Sequence, residues 1–144
     1  MTHTPEIIHQ LNEALRMQLT SINQCFLHAR ILKHRGLMQL ADGEFKESLD
    51  SMKYADHLVE RILGLGGAPH MQPMGEIKVG DDRASMLACD IELKEEVREQ
   101  LAGAIAVCVA HKDAASTEIL QRILASVEEH IRYIEREKGQ MDAA

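Results

Sequence analysis

The chain has 144 residues, a formal net charge of −7, and two phenylalanines and two tyrosines as its only aromatic residues. This length is sufficient for a single domain over residues 1–144, and the negative charge without any basic run argues against nucleic acid as a partner. A core with so few aromatic residues must be built from Leu, Ile, Val, Met and Ala, which favours helices.

The cysteines and the apolar runs indicate the cellular compartment in which the protein resides. Cys25, Cys89 and Cys108 are odd in number and form no C-x-x-C motif, which is typical of buried thiols in a reducing environment. No apolar run approaches the roughly 18 residues of a membrane span, and the opening MTHTPEIIHQ lacks the features of a signal peptide. We therefore expect a cytoplasmic protein with no membrane partner.

Helix signals divide the chain into four long segments. Thr4-Pro5-Glu6 starts the first, and Gly36 follows it; Gly66-Gly67 ends the second. Asp81 or Asp82 caps the third, Asp113 caps the fourth, and Gly139 ends it. The predicted helices cover residues of about 5–35, 39–66, 82–111 and 113–138.

The lengths of the connections predict the topology. Short gaps after helices one and three can join only antiparallel neighbours. The loop GAPHMQPMGEIKVG between helices two and three can stretch to roughly 45 Å, which matches the roughly 40 Å length of helix two. Helices two and three can therefore run parallel, as in an all-α, ferritin-like four-helix bundle with one long crossover.

Each predicted core-facing seam is interrupted by polar residues near its middle. The interruptions are Gln18 on helix one, Ser51 and Tyr54 on helix two, Asp90 and Lys94 on helix three, and His130 on helix four. Ferritin-like di-iron proteins place inward carboxylates at this level of the bundle. Inward polar groups are expected here, but most of those carboxylates are missing.

Four segments resemble bacterioferritin, and the resemblance covers almost the whole chain. They are SINQCFLHAR (21–30), SMKYADHLVERIL (51–63), GAPHMQPMGEIKVGDD (67–82) and EEHI (128–131). The resemblance implies a hollow shell that stores iron as a mineral. It also implies a short fifth helix around the four-fold axes, which is largely absent here after Gly139.

The ferroxidase ligands of the family are Glu, Glu-x-x-His, Glu and Glu-x-x-His. By resemblance they fall on Gln18, Ser51 with Tyr54, Lys94, and Val127 with His130. His130 alone is retained, as a vestigial metal ligand. A lone imidazole cannot hold two hard iron ions, and an ammonium would repel them, so we expect no catalytic residues and no ferroxidase centre.

Two arrangements are open for Lys94. It can occupy the vacated metal position as a substitute cation within reach of Asp90, Gln18 and Tyr54. Alternatively, it extends out of the bundle while Gln18, Tyr54 and His130 form a satisfied hydrogen-bonded cluster.

Helix two carries a second apolar stripe, turned away from its own bundle and centred on Met52, which predicts an oligomer contact. In the family this face meets its mate across a two-fold axis, and a methionine from each subunit is an axial ligand of an intersubunit haem b. Met52 matches that methionine, and the resemblance gives a pocket of Leu19, Ile22, Asn23, Phe26, Phe45, Leu49 and Lys53. The alternative is that Met52 only fills a gap in an interface.

Three acids of helix two, Glu44, Glu47 and Asp50, could bind iron weakly during mineral growth, but solvated surface acids are the commoner explanation. We do not count them as site residues.

The leading interpretation is a haem-binding subunit without its own ferroxidase centre that assembles with itself and with a second bacterioferritin subunit carrying intact Glu-x-x-His motifs. A small ferredoxin would supply electrons for iron release. The alternatives are a homomeric haem-binding or structural cage and, less favoured, an enzyme with a non-standard metal site around His130 and Glu128 or Asp90.

Overall fold

The computed structural model describes residues 4–72 and 75–143, which leaves Pro73 and Met74 of the predicted crossover outside the described residues. The described chain folds into four helices and contains no strand: α1 Thr4–His34, α2 Met38–Gly64, α3 Arg83–Ala110 and α4 Ala114–Ala143. The predicted all-α class is confirmed. None of these helices is both long and apolar enough to cross a membrane.

Glycines with positive φ angles and a capping residue explain where several of the helices begin and end. Gly36 and Gly66 adopt positive φ angles of 80° and 79°, which glycine tolerates, just after α1 and α2. Asp82 caps α3 through a capping box with Ser85. Gly139 does not end α4 as predicted, because a single exposed glycine at ordinary helical angles costs only about 1 kcal/mol and leaves the helix free to continue.

The side-chain pairs between helices establish their directions. From α1 to α2, Ser21 meets Ser51, Ser48 donates to the carbonyl of Ile22, and the rings of Phe26 and Phe45 lie 6.4 Å apart. From α1 to α3, Gln10 meets Gln100, Ser21 meets Lys94, and Gln24 meets Asp90. Helix α1 is therefore antiparallel to both neighbours, so α2 and α3 run parallel and the predicted crossover is confirmed.

The described parts of the crossover, residues 65–72 and 75–82, are held against α1 by side chains at intervals of four or eight residues. Asn12 binds the carbonyl of Ala68 and the amide of His70. Further along α1, Thr20, Gln24 and His28 accept hydrogen bonds from the amides of Gly75, Lys78 and Gly80. One stripe of α1 therefore supplies the loop backbone with partners that a sheet or helix would otherwise provide.

The apolar core lies in two clusters along the bundle axis. The larger one includes Leu11, Leu15, Leu58, Leu101 and Ile123, and the smaller one, near the α1–α2 turn, includes Leu32, Met86, Leu87 and Ile134. Buried polar residues from all four helices lie along the stretch between them. The candidate site is built in this polar stretch.

Candidate functional site

The positions that the resemblance assigns to the ferroxidase ligands lie inside the bundle. Gln18, Ser51, Lys94, Val127 and His130 are all buried, and Tyr54 packs partly buried against the larger core cluster. These six positions offer one imidazole and one ammonium, but no carboxylate. As a donor set they do not fit a pair of iron ions, which prefer bridging oxygen ligands.

Lys94 is 1% exposed, so the prediction that it extends out of the bundle is wrong. Its ammonium donates to the hydroxyl of Ser21 at 2.8 Å and to Oε1 of Glu47 at 2.5 Å. Burial would lower the pKa of Lys94, but the attraction of Glu47 and other negative groups outweighs it and raises that pKa above its usual value. A buried cation therefore lies at this level of the bundle.

The partners of Lys94 differ from those predicted. Among the described residues it forms no hydrogen bond with Gln18, Tyr54 or Asp90, and it pairs instead with an acid of α2. Burial raises the pKa of Glu47, and the ammonium opposes that rise. The close, almost completely buried contact is that of an ion pair.

The predicted satisfied cluster of Gln18, Tyr54 and His130 is also wrong. The amide nitrogen of Gln18 and both ring nitrogens of His130 are buried without a hydrogen-bond partner among the described residues. Nδ1 of His130 lies 3.6 Å from Oε1 of Glu47, and its ring stacks on Tyr133. Burial, reinforced by the charge of Lys94, lowers the pKa of His130 to about 3, so the ring is neutral.

The interpretation of Glu44 and Glu47 as solvated surface acids is wrong. Glu44 is 2% exposed and Glu47 is 7% exposed. The reason is the rotation of α2: its buried face consists of Leu40, Ala41, Glu44, Glu47, Ser48, Ser51, Ala55, Leu58 and Ile62. Only Asp50 behaves as expected, in an exposed pair with Lys46 at 2.9 Å.

Asp90 is the centre of a second buried network. Its Oδ1 accepts hydrogen bonds from Nε2 of Gln24 at 2.9 Å and from Nδ1 of His28 at 3.0 Å. The amide of Gly80 donates to Nε2 of His28, so the histidine is neutral with its proton on Nδ1. Burial disfavours the charge on Asp90, but these hydrogen bonds and one from Glu44 lower its pKa.

Glu44 faces Asp90 across this network, and Cys25 lies beside both. Burial, followed by the hydrogen bond and the negative charge of Asp90, raises the pKa of Glu44 well above its usual value, so its carboxyl group is protonated. Burial and then the charge of Asp90 raise the pKa of Cys25 in the same way. The sequence pointed to Asp90 as an interruption of the α3 seam but missed its companions.

The predicted cofactor face is exposed on the opposite side of α2. Met52 is 55% exposed, and Phe26, Phe45 and Leu49 are also exposed. Arg30 covers the rings of Phe26 and Phe45, with its guanidinium carbon 5.3 Å and 5.8 Å from their centroids. An exposed apolar patch with a thioether at its centre fits a flat apolar cofactor shared with a second subunit.

The other predicted pocket residues surround this patch at different depths. Leu19 and Ile22 are half-buried and pack against the larger core cluster. Asn23 is exposed and donates to the carbonyl of Leu19 at 2.9 Å, and the ammonium of Lys53 lies 5.9 Å from the centroid of the Tyr54 ring. The apolar members of the predicted pocket are therefore exposed or half-buried, and the two polar ones are exposed.

Comparison with known proteins gives a consistent result. The model of the ferritin-like domain matches residues 8–143. A bacterioferritin of Mycobacterium leprae is 36% identical over 98% of this chain and 89% of the relative. A bacterioferritin of Streptomyces coelicolor is 40% identical over 94% of this chain and 81% of the relative, and one of Brucella melitensis is 31% identical over 94% and 84%.

The chain belongs to the bacterioferritin family. The sequence did not predict the network that Gln24, Cys25, His28 and Glu44 form around Asp90, although Cys25 was expected to be buried. A signal for two of them was present, because Cys25 lies on the core seam of α1 and Glu44 is seven residues from Ser51 on the core face of α2. No sequence signal pairs them across helices.

Proposed function

We propose that this chain is an iron-storage cage subunit of bacterioferritin type that binds haem b between two subunits through Met52 and has no ferroxidase centre of its own. The observation that carries the second part is the buried ion pair of Lys94 and Glu47 at the level of the bundle where the family holds iron. The proposal places the chain in the cytoplasm, with iron as its cargo.

The ion pair opposes iron binding in two ways. An ammonium within a few ångströms of an incoming Fe(II) ion would repel it strongly at the low dielectric of the bundle interior. The same ammonium pairs with Glu47, a buried carboxylate that could otherwise substitute for a missing ligand. His130, the one retained ligand position, is left without an acidic partner at hydrogen-bonding distance.

The haem part rests on the exposed face of α2. Bound haem would supply a one-electron relay between the outside and the inside of the shell. Met52 would offer a neutral, soft sulfur that favours the reduced iron, while Phe26, Phe45 and Leu49 would bury apolar surface and exclude water. The contact would be isologous, so each subunit would contribute the same face.

The proposed roles of the two kinds of subunit follow from the lack of a ferroxidase centre and from the haem-binding face. A second bacterioferritin subunit with intact Glu-x-x-His motifs would oxidise Fe(II), and this subunit would pass electrons inward for release, with a small ferredoxin as the donor. The exposed apolar face of α2 also suits a second candidate function, a homomeric haem-binding or structural cage. An enzyme with a non-standard site around His130 and Glu128 or Asp90 has less support, because no cluster of three potential metal ligands among the described residues contains His130 or Glu128.

The deciding experiment is Fe(II) oxidation by the purified chain in air, followed as the rise of ferric absorbance. We expect a rate no higher than that of Fe(II) in buffer, whereas a bacterioferritin with both Glu-x-x-His motifs, run in parallel, should oxidise it rapidly. Rapid oxidation by this chain alone would overturn the proposal. Co-expression of the two chains, followed by native mass spectrometry, should give mixed shells, and separate homomeric shells would favour the second candidate.

A further inference from the structure

Three buried side chains from three helices converge near the Lys94 pair. One ligand atom from each of Cys25 in α1, Glu44 in α2 and Asp90 in α3 lies within 4.8 Å of the other two. All three residues are buried. None of them is at a position that the resemblance assigns to iron or haem.

The convergent oxygens have no donor outside their own cluster. Both carboxylate oxygens of Glu44 and Oδ2 of Asp90 are buried, and among the described residues no group beyond Glu44, Asp90 and Cys25 donates to them. The sulfur of Cys25 lies 3.9 Å from the hydroxyl of Ser21. Buried polar atoms in folded proteins nearly always have partners, and here the three groups meet that need only through protons that they share, which a cation could replace.

We propose that Cys25, Glu44 and Asp90 bind a single borderline divalent cation of the class of Zn²⁺ or Fe²⁺. One thiolate and two carboxylates form a mixed ligand set that such ions accept in tetrahedral geometry. Typical metal–sulfur and metal–oxygen lengths imply ligand separations of roughly 3.3–3.8 Å. The three atoms would therefore need to close by about 1 Å, which is within the reach of side-chain rotation.

The surrounding residues prepare Asp90 for this role. Gln24 and His28 hold its Oδ1, which leaves Oδ2 available as a ligand atom. His28 is in turn fixed by the amide of Gly80 in the crossover. Ligating carboxylates are commonly oriented by such outer hydrogen bonds, because these bonds set both geometry and affinity.

The charges balance without any rearrangement of the Lys94 pair. Binding would release one proton from the Cys25 thiol and one from the Glu44 carboxyl group, and the dication would replace both. The net charge of the buried cluster would therefore be the same before and after binding, so the low-dielectric interior would gain no uncompensated charge.

The test uses Co²⁺ as the probe on the full, metal-free protein kept reduced. The wild type should bind one Co²⁺ per chain with a thiolate-to-cobalt charge-transfer band and the visible absorption of tetrahedral cobalt. Cys25→Ser should remove the charge-transfer band, and Glu44→Gln should weaken binding at least ten-fold. Thermal unfolding of each variant establishes that it is folded.

Cys108→Ser is the matched control, because Cys108 is another buried thiol of the bundle, about 27 Å along α3 from Asp90 at the rise of an α-helix. It should leave the cobalt spectrum unchanged. Absence of the band in the wild type, or its persistence in Cys25→Ser, would overturn the site. Neither result alters the expected Fe(II) oxidation or haem binding, so this inference stands or falls separately from the proposed function.

Discussion

The ammonium of Lys94 and a carboxylate oxygen of Glu47 lie 2.5 Å apart inside the bundle, and neither side chain is more than 8% exposed. A pair of this kind does not add much stability compared with apolar residues of the same shape. Its two halves nevertheless depend on each other, because either one left alone would be an uncompensated buried charge.

Breaking this ion pair should therefore lower the stability of the fold. We expect Lys94→Met to lower the free energy of unfolding by about 3–5 kcal/mol, because it strands the charge of Glu47. The double variant Lys94→Met/Glu47→Leu should recover most of that loss. Denaturant unfolding at fixed protein concentration measures both, since assembly makes stability depend on concentration.

The exposed pair of Lys46 and Asp50 is the control for this measurement. Lys46→Ala should cost less than about 1 kcal/mol, because solvent screens the pair. A Lys94→Met variant no less stable than this control would show that the buried pair is not coupled as described.

His130 should make the fold sensitive to acid. Its pKa is about 3 in the folded chain and 6.5 ordinarily, so the unfolded state binds the proton first as pH falls. Its contribution is complete above pH 6.5 and is lost between pH 6.5 and 3. Between pH 7 and pH 4 the wild type should lose about 3 kcal/mol more than His130→Leu, which lacks the titrating ring.

Unfolding free energies of the two proteins at both pH values measure this difference. Equal losses in wild type and His130→Leu would mean that the imidazole is not held neutral by burial. A larger loss in the variant would mean that His130 is protonated in the folded chain.

Met52 should control haem binding. We expect Met52→Leu to weaken haem binding at least ten-fold, because leucine keeps the apolar volume but removes the sulfur. Met52→His should restore binding with a different absorption spectrum, because an imidazole replaces the thioether as the axial ligand. Reconstitution with haem and visible absorption spectroscopy measure both effects.

Met38→Leu is the matched control, because Met38 is an exposed methionine at the first turn of α2, about four turns from Met52. It should bind haem as the wild type does. Haem binding by Met52→Leu with an unchanged spectrum would exclude the sulfur as a ligand.

The apolar face of α2 should also hold subunits together. Leu49 is exposed in this patch, and Leu49→Glu would place a carboxylate from each subunit in a self-complementary contact. We expect the assembly to shift to smaller species in analytical ultracentrifugation. Val109→Glu, at an equally exposed aliphatic residue near the end of α3, is the control, and an unchanged distribution for Leu49→Glu would remove this face from the interface.

Much of the fold could be predicted because it depends on residues that end helices and on the lengths of the connections between helices. Gly36 and Gly66 mark real helix ends, and the length of the crossover decides that α2 and α3 run parallel. Gly139 was misjudged because a glycine at ordinary helical angles is indistinguishable, by sequence alone, from one that ends a helix.

The interior of the site was harder to predict for a different reason. Glu44 and Glu47 share the buried stripe of α2 with Ser51 and Leu58, so their spacing is that of core residues. Acidic residues are usually exposed, and this general tendency favoured the wrong prediction of surface acids. The partner of Lys94 depends on how α1, α2 and α3 are rotated about their axes, because these rotations decide whether Glu47 of α2 or Gln18 of α1 faces the ammonium. Such rotations are set by the packing of whole helices and not by local spacing.

The hydrogen bonds of the crossover have a consequence for folding order. Gln24 and His28 each bind the crossover backbone on one side and Asp90 on the other. The loop therefore cannot leave the surface of α1 without unsatisfying the same side chains that join α1 to α3, so loop docking and hairpin docking form one cooperative step. The amide protons of Lys78 and Gly80, although they lie in a loop, should exchange with solvent as slowly as those of the helices around them.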